Sequence, residues 1–389
     1  MSARAALLTA MRRLDDALHA GRSTRRILVD SRTPVNYEMV LPVVRAMAAD
    51  PRVRFAFTAS GEPEKLHEIY REAGADRRLI APGHAVFRKW DAYLTSDFTW
   101  ARLARGTARI QMFHGVAGKY GFDAPTRSMR DWDRLFFVNE RRLKNYVAAG
   151  AIDASSPAAR LIGMPKVDCL VDGSLRRDDV LRGFRLDPAR PTVLYAPTWS
   201  PASSLNLLGV ELVRRLLTLP VNVVVKLHDR SRDARPQYSG GVDWVGRLRP
   251  LLAPPRGVLA LHANISPCLV AADVLVTDHS SCGFEYMLLD RPIVRIEVPE
   301  LVAQANIHPD YVSLLAGAAL NTRDVASTVA AVERACATPG ERSAERRAVA
   351  RELFYRAGTA TARCAAALYE IVGLAPQTTI TREAEPCVA

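Results

Sequence analysis

No stretch of the 389-residue sequence approaches the roughly 20 uninterrupted apolar residues of a membrane-spanning helix. The N-terminal run MSARAALLTAMRRLDDALHAGRSTRR has charges inside its apolar portion and no clear cleavage site, which argues against a signal peptide. Close cysteine pairs are missing: Cys169, Cys268, Cys282, Cys336, Cys364 and Cys387 are scattered, which argues against a metal cluster or a disulfide framework. Neither a metal nor a cofactor is expected. The chain has no dense basic tract with interleaved aromatics, so a specific nucleic-acid partner is not expected. Lysine is scarce, supplying six of the 53 basic residues. These absences describe a cytosolic protein with reduced thiols.

What remains is an ordinary globular composition, 49% hydrophobic, at a length suited to two domains. The formal net charge of +12 attracts anions, whether acidic lipid headgroups or phosphorylated substrates. Leu7, Leu8, Met11, Leu14 and Leu18 recur at helical spacing, so residues 1–22 read as a surface helix. Such a helix packs on its own domain or lies on an anionic membrane.

Strand and helix patterns then alternate. RILVDS, RVRFAFTAS, WDAYLTSD, ARIQMFHG and RLFFVN read as strands, with NYEMVLPVVRAMAAD and EPEKLHEIYREAGA as helices, and RLIGMPKVD closes this half. The charged stretch VDGSLRRDDVLRGFRLDPARP reads as a connection. Alternation restarts with TVLYAPTW, GVELVRRLLTL, NVVVKLHD, GVLALH, ISPCLVAA, DVLVTDHSS, GFEYMLLD and PIVRIEV, and a helical segment follows. The expected architecture is α/β: two Rossmann-like domains facing across a cleft, over 1–175 and 186–373, the second with closing C-terminal helices. Residues 374–389 are expected to form a disordered tail. Ligands of such sheets sit at the carboxyl ends of strands.

Four strand ends carry polar residues. At QMFHGVAGK, His114 can take a proton near neutral pH, Gly115 permits close backbone approach, and Lys119 suits phosphate. At LYAPTW, Pro197 stops the strand and leaves Thr198 to donate to a phosphate, while Trp199 flanks a base or packs beneath the loop. At VVVKLHDR, Lys226, His228 and Arg230 alternate with the period of an extended chain and are expected on one side, where they would stabilise a transferring phosphate. At TDHSSCGFE, Ser280 and Ser281 place hydroxyls at a strand-to-helix turn and Asp278 orders it.

Taken in order, these segments resemble the CDP-glycerol glycerophosphotransferase family, the teichoic-acid polymerases and primases of the bacterial envelope. The family's HGTPLK, LYAPTW, RxHP-like and TDYSS patterns align with His114–Lys119, Leu194–Trp199, Lys226–Asp229 and Thr277–Ser281, and GMPKVD at Gly163–Asp168 matches a further turn. Departures are Val116-Ala117-Gly118 in the first loop, His279 for tyrosine, Asp229 for proline and Glu285 for aspartate.

The resemblance implies a GT-B fold, a CDP-activated polyol donor, a lipid-linked glycan acceptor and release of CMP, on the inner face of the cell membrane. It makes His114 the base and His228 the stabiliser of the reacting phosphate. Ser280 and Ser281 become pyrophosphate ligands and Glu285 a contact to the donor's polyol. Two other readings stand beside it: a GT-B glycosyltransferase using a nucleotide sugar in capsule or lipopolysaccharide synthesis, and a non-catalytic nucleotide-binding envelope-assembly protein.

Overall fold

A computed structural model describes residues 3–19, 23–71, 78–99, 101–119, 129 and 131–376. It contains two six-stranded sheets, each wholly parallel, with helices between the strands. The first takes β1 (Arg25–Asp30), β2 (Val53–Thr58), β3 (Ala92–Thr95), β4 (Ala108–Met112), β5 (Arg134–Phe137) and β6 (Ala159–Leu161) in the order β2-β1-β3-β4-β5-β6. The second takes β7 (Thr192–Tyr195), β8 (Asn222–Lys226), β9 (Gly257–Ala260), β10 (Val274–Thr277), β11 (Ile293–Ile296) and β12 (Leu320–Thr322) in the order β12-β11-β10-β7-β8-β9.

Both are doubly wound α/β sheets. Strand order reverses between β1 and β3 in the first and between β7 and β10 in the second, the places where such sheets open a crevice for a ligand. Strands β7, β8 and β10 are buried at every position, as expected of apolar runs covered on both faces. Local signals start the helices: Thr33 caps Pro34–Met47 by accepting from the Asn36 amide at 3.2 Å, and proline occupies the first turn, where no amide partner is needed.

The chain divides into two compact units. The first holds Met1–His114, Ala124–Asp168 and the segment from Phe354; the second holds Gly115–Asp123 and Cys169–Leu353. This differs from the expected sequential division, because the last helix (Ala360–Ile371) belongs to the first unit. GMPKVD explains the return. The Asp168 carboxylate accepts from the amides of Gly358, Ala360 and Thr361 at 2.8, 3.1 and 2.6 Å, and Arg363 Nε donates to the Ile162 carbonyl at 2.8 Å. Gly163, at φ +91°, lies so close to this segment that a Cβ would meet the Tyr355 carbonyl at 2.6 Å.

The expected connection, residues 171–191, belongs wholly to the second unit. It contains a helix, Arg177–Gly183, with Val180 and Leu181 buried and Arg177 bound to Asp273 at 2.8 Å. The short edge strand β12 was not expected, since three residues with two polar side chains carry no strand period. The expected tail lies, from residue 377, outside the described residues.

Candidate active site

In the second unit the loops after β7 and β10 meet at one buried carboxylate. Asp278, fully buried, accepts from the amides of Thr198 and His279 at 2.8 and 2.6 Å, and from the Ser204 amide and hydroxyl at 3.1 and 2.8 Å. Four donors occupy a carboxylate's acceptor capacity, so Asp278 orders the site and has nothing left for a ligand. The Thr277 hydroxyl adds a bond to the Ala196 carbonyl at 2.7 Å. Pro197 is buried at the bend. Thr198 is buried with its hydroxyl unpaired, a donor available beside that bend.

Ser280 is half-buried and Ser281 exposed, and neither side chain has a hydrogen-bond partner among the described residues. Their carbonyls hold the first turn of the short helix Cys282–Met287, accepting from Gly283 and Phe284 at 3.1 Å each. The helix packs closely at Gly283, where an added Cβ would lie 2.7 Å from Leu315 Cδ1 and push that side chain aside. Glu285 lies in the same helix and is buried.

The three residues expected on one side at β8 follow two local geometries. Lys226 is buried and turns back to donate to the Leu227 carbonyl at 2.9 Å. His228 ends the extended chain by capping a 3-10 turn over Asp229–Arg232, so the two-residue period stops there. That turn carries His228 and Arg230 to Trp199. The Arg230 guanidinium lies 4.4 Å from the Trp199 ring centre and 5.3 Å from that of Tyr238. Trp199 meets Tyr238 edge-on at 5.8 Å and His228 at 6.2 Å. Among the described residues Arg230 has no carboxylate partner, leaving a cation held by aromatic faces with its donors available to an anion. The aromatic role of Tyr238 had no strand-end signal and escaped sequence reasoning.

Lys119 is tied to the second unit's β10 turn by one of its three donors. Its Nζ donates to the His279 carbonyl at 2.6 Å, which the Tyr311 hydroxyl also reaches at 2.9 Å. Lys119 is therefore a tether of the β10 turn. Desolvation lowers its pKa to about 8, against the pull of Asp278. His279 is itself buried: Arg295 Nη1 lies 3.4 Å from its Nε2, and its Nδ1 has no partner.

The two histidines hold opposite tautomers. In the first unit, His114 follows β4, and its Nδ1 is bonded to the Ser96 carbonyl at the end of β3. A carbonyl can only accept, so Nδ1 carries the proton and Nε2 keeps its lone pair. Ser96 is held in turn by its hydroxyl bond to the Asn36 carbonyl at 2.6 Å. Desolvation lowers the His114 pKa, opposed by Asp97 and the Ser96 carbonyl, although the residue keeps an accessible surface. Gly115 follows, half-buried. In the second unit, His228 Nδ1 accepts from the Arg230 amide at 3.1 Å. Its neutral ring therefore bears the proton on Nε2 and acts as a donor. Desolvation first, then Lys226 and Arg230, push its pKa down to about 4, with Asp229 opposing. Among the described residues no group of three or more His, Cys, Asp or Glu could hold a metal ion.

A family model described as CDP-Glycerol:Poly(glycerophosphate) glycerophosphotransferase matches residues 91–369. The teichoic acid poly(ribitol-phosphate) polymerase of Bacillus spizizenii is 21% identical over 246 residues, which cover 57% of this chain and 38% of that protein. The match thus spans well under half of that relative's length. A solved structure of the wall teichoic acid polymerase TagF, from a variant soaked with CDPG, superposes with a TM-score of 0.69 at 15% identity, covering 94% of each chain. The UDP-GlcNAc 2-epimerase of Neisseria meningitidis, bound to UDP-GlcNAc, superposes with a TM-score of 0.53 at 13% identity, covering 89% of this chain and 100% of that one. At such identities the likeness is one of fold.

Proposed function

The chain belongs to the CDP-glycerol:poly(glycerophosphate) glycerophosphotransferase family, and on that premise we propose that it transfers glycerol phosphate, or a related polyol phosphate, from a CDP-activated donor to a hydroxyl of a lipid-linked cell-envelope glycan. The observation that carries the reading is the pair of strand-end histidines with opposite tautomers. His114 Nε2 takes the proton of the acceptor hydroxyl as its oxygen bonds to the donor's β-phosphorus. The bond from that phosphorus to the bridging oxygen breaks, and CMP leaves with the electron pair. His228, donating from Nε2, and the aromatic-held Arg230 stabilise the charge that develops. Ser280, Ser281 and Thr198 offer hydroxyls to the diphosphate. A lipid-linked acceptor places this chemistry at the inner face of the cell membrane.

The test is product analysis. Mass spectrometry after incubation with CDP-glycerol, CDP-ribitol or nucleotide sugars, each with a lipid-linked acceptor, should detect CMP and an acceptor heavier by one polyol phosphate. A nucleoside diphosphate and a glycosylated acceptor would instead identify a glycosyltransferase. Binding of CDP compounds without turnover on any acceptor would identify an assembly protein.

A further inference from the structure

The loops after β1, β2 and β3 leave the first unit's sheet at its carboxyl edge, around the point where strand order reverses. A doubly wound sheet takes its ligand there, and β4 delivers His114 to the same edge. Phe98, in the loop after β3, is the one aromatic among the strongly exposed large apolar side chains of the described residues, at 43%. Hydrogen bonds hold that loop. The Thr95 hydroxyl donates to the Asp97 carbonyl at 3.0 Å and accepts from the Asp97 amide at 3.2 Å. The Phe98 amide donates to the Asp97 carboxylate at 2.8 Å, and Phe113 meets the Phe98 ring edge-on at 6.2 Å. One ring is thus held outward, two residues from the carbonyl that fixes His114.

The charges beside this ring are matched. Arg32, after β1, lies 3.6 Å from Glu62 and 4.0 Å from Asp97, and Lys65 lies 3.4 Å from Glu62. Gly61 lets the β2 loop close on the group: a Cβ there would lie 3.1 Å from Thr99 Cγ2 and 3.6 Å from Arg32 Cγ. Although the chain carries a net charge of +12, both of these cations face carboxylates.

We propose that Phe98 is the platform for a pyranose ring of the acceptor and that Asp97, Glu62 and Arg32 bind its hydroxyls, so the hydroxyl presented to His114 belongs to a sugar and not to a polyol-phosphate chain. The C–H face of a pyranose is apolar and packs on an aromatic ring, while its hydroxyls at the rim need partners in both directions. Carboxylates accept from them and a guanidinium donates to them. A polyol-phosphate chain has no such apolar face and carries a negative charge at each unit. Asp97 and Glu62 repel it, and Arg32 is already matched. The proposal rests on the transferase reading and names the acceptor within it.

The test is the rate of CMP release by the full chain with CDP-glycerol and two acceptors on a short water-soluble lipid, a disaccharide and an oligo(glycerol phosphate). The wild type should use the disaccharide with a kcat/KM higher by about tenfold or more. Phe98→Ala should raise the disaccharide KM by about tenfold with a smaller change in kcat and none in the KM for CDP-glycerol. Phe98→Trp, which keeps an aromatic face, should stay within about threefold of wild type. Glu62→Gln, which removes one of the carboxylates facing Arg32, should narrow the preference between the acceptors. A better rate with oligo(glycerol phosphate), an unchanged disaccharide KM in Phe98→Ala, or a raised KM for CDP-glycerol instead would overturn the proposal. If neither acceptor yields CMP, the transferase reading falls, and saturation-transfer NMR of the disaccharide decides the platform separately. The wild type should saturate the ring protons and Phe98→Ala should not; no transfer from the wild type would remove the platform as well.

Discussion

His114 and His228 each follow a central parallel strand, one in each unit, yet their neighbours prepare them for different work. A carbonyl at the end of β3 holds the proton of His114 on Nδ1, and a backbone amide in the turn after β8 takes the lone pair of His228 Nδ1. The same side chain is thereby a proton acceptor in one place and a hydrogen-bond donor in the other. Identity and strand-end position are shared; the single backbone group each ring faces is not.

The sharpest way to break this comparison is substitution by glutamine, whose amide can donate but cannot take a proton. His114→Ala and His114→Gln should both lower kcat for CMP release by about 10²–10⁴-fold. His228→Ala should cost about 10²–10³-fold, while His228→Gln should recover part of that by presenting an N–H near the Nε2 position. Equal loss from both glutamine variants, with no recovery at His228, would remove the distinction.

A second comparison sets two buried carboxylates side by side. Asp278 accepts four hydrogen bonds in the second unit, and Asp168 accepts three backbone amides in the first. Asp278→Ala should destabilise by on the order of 3–5 kcal/mol in urea unfolding, and also depress turnover by releasing the Thr198 loop. Asp168→Ala should destabilise by about 2–4 kcal/mol through detachment of the segment from Phe354, with a smaller effect on chemistry. Activity falling equally with both would show that they share one task.

A further expected effect is acid sensitivity of the second unit. Desolvation pushes His228, His262 and His279 down to about 4, from an ordinary value of 6.5. The unfolded chain therefore binds protons that the folded unit refuses. These groups contribute full stability above about pH 6.5, and it is lost as pH falls toward about 4. Urea midpoints at descending pH should drop over that window, and His262→Phe, whose ring would meet Phe184, should flatten the drop. Unchanged midpoints between those limits would mean the rings are solvated.

Much of the fold was legible in the chain. Apolar runs such as VNVVVK and ADVLVT announced the strands, and their polar ends named His114, Thr198, His228, Asp278, Ser280 and Ser281. The role given to Asp278 agrees with its four bonds. Other features depend on partners distant in sequence. Extended alternation put Lys226, His228 and Arg230 on one strand edge, but the extended chain ends at His228 and Arg230 lies in the 3-10 turn that follows. Lys119 carried charge suited to phosphate, and its hydrogen bond to a carbonyl 160 residues away had no signal in the chain. The clamp on Arg230 needs Tyr238, which stands in a short helix, Pro236–Ser239, that carried no sequence signal.

The sequence by itself determined the alternation of strands and helices, the residues at the strand ends and the amphipathic character of the N-terminal helix, because period and side-chain chemistry are local. Only tertiary structure decided the tautomer of each histidine and the return of the last helix to the first unit. Each of these depends on which distant backbone or side-chain group lies within hydrogen-bonding or packing distance. A local pattern states what a face offers, and the rest of the chain decides what meets it.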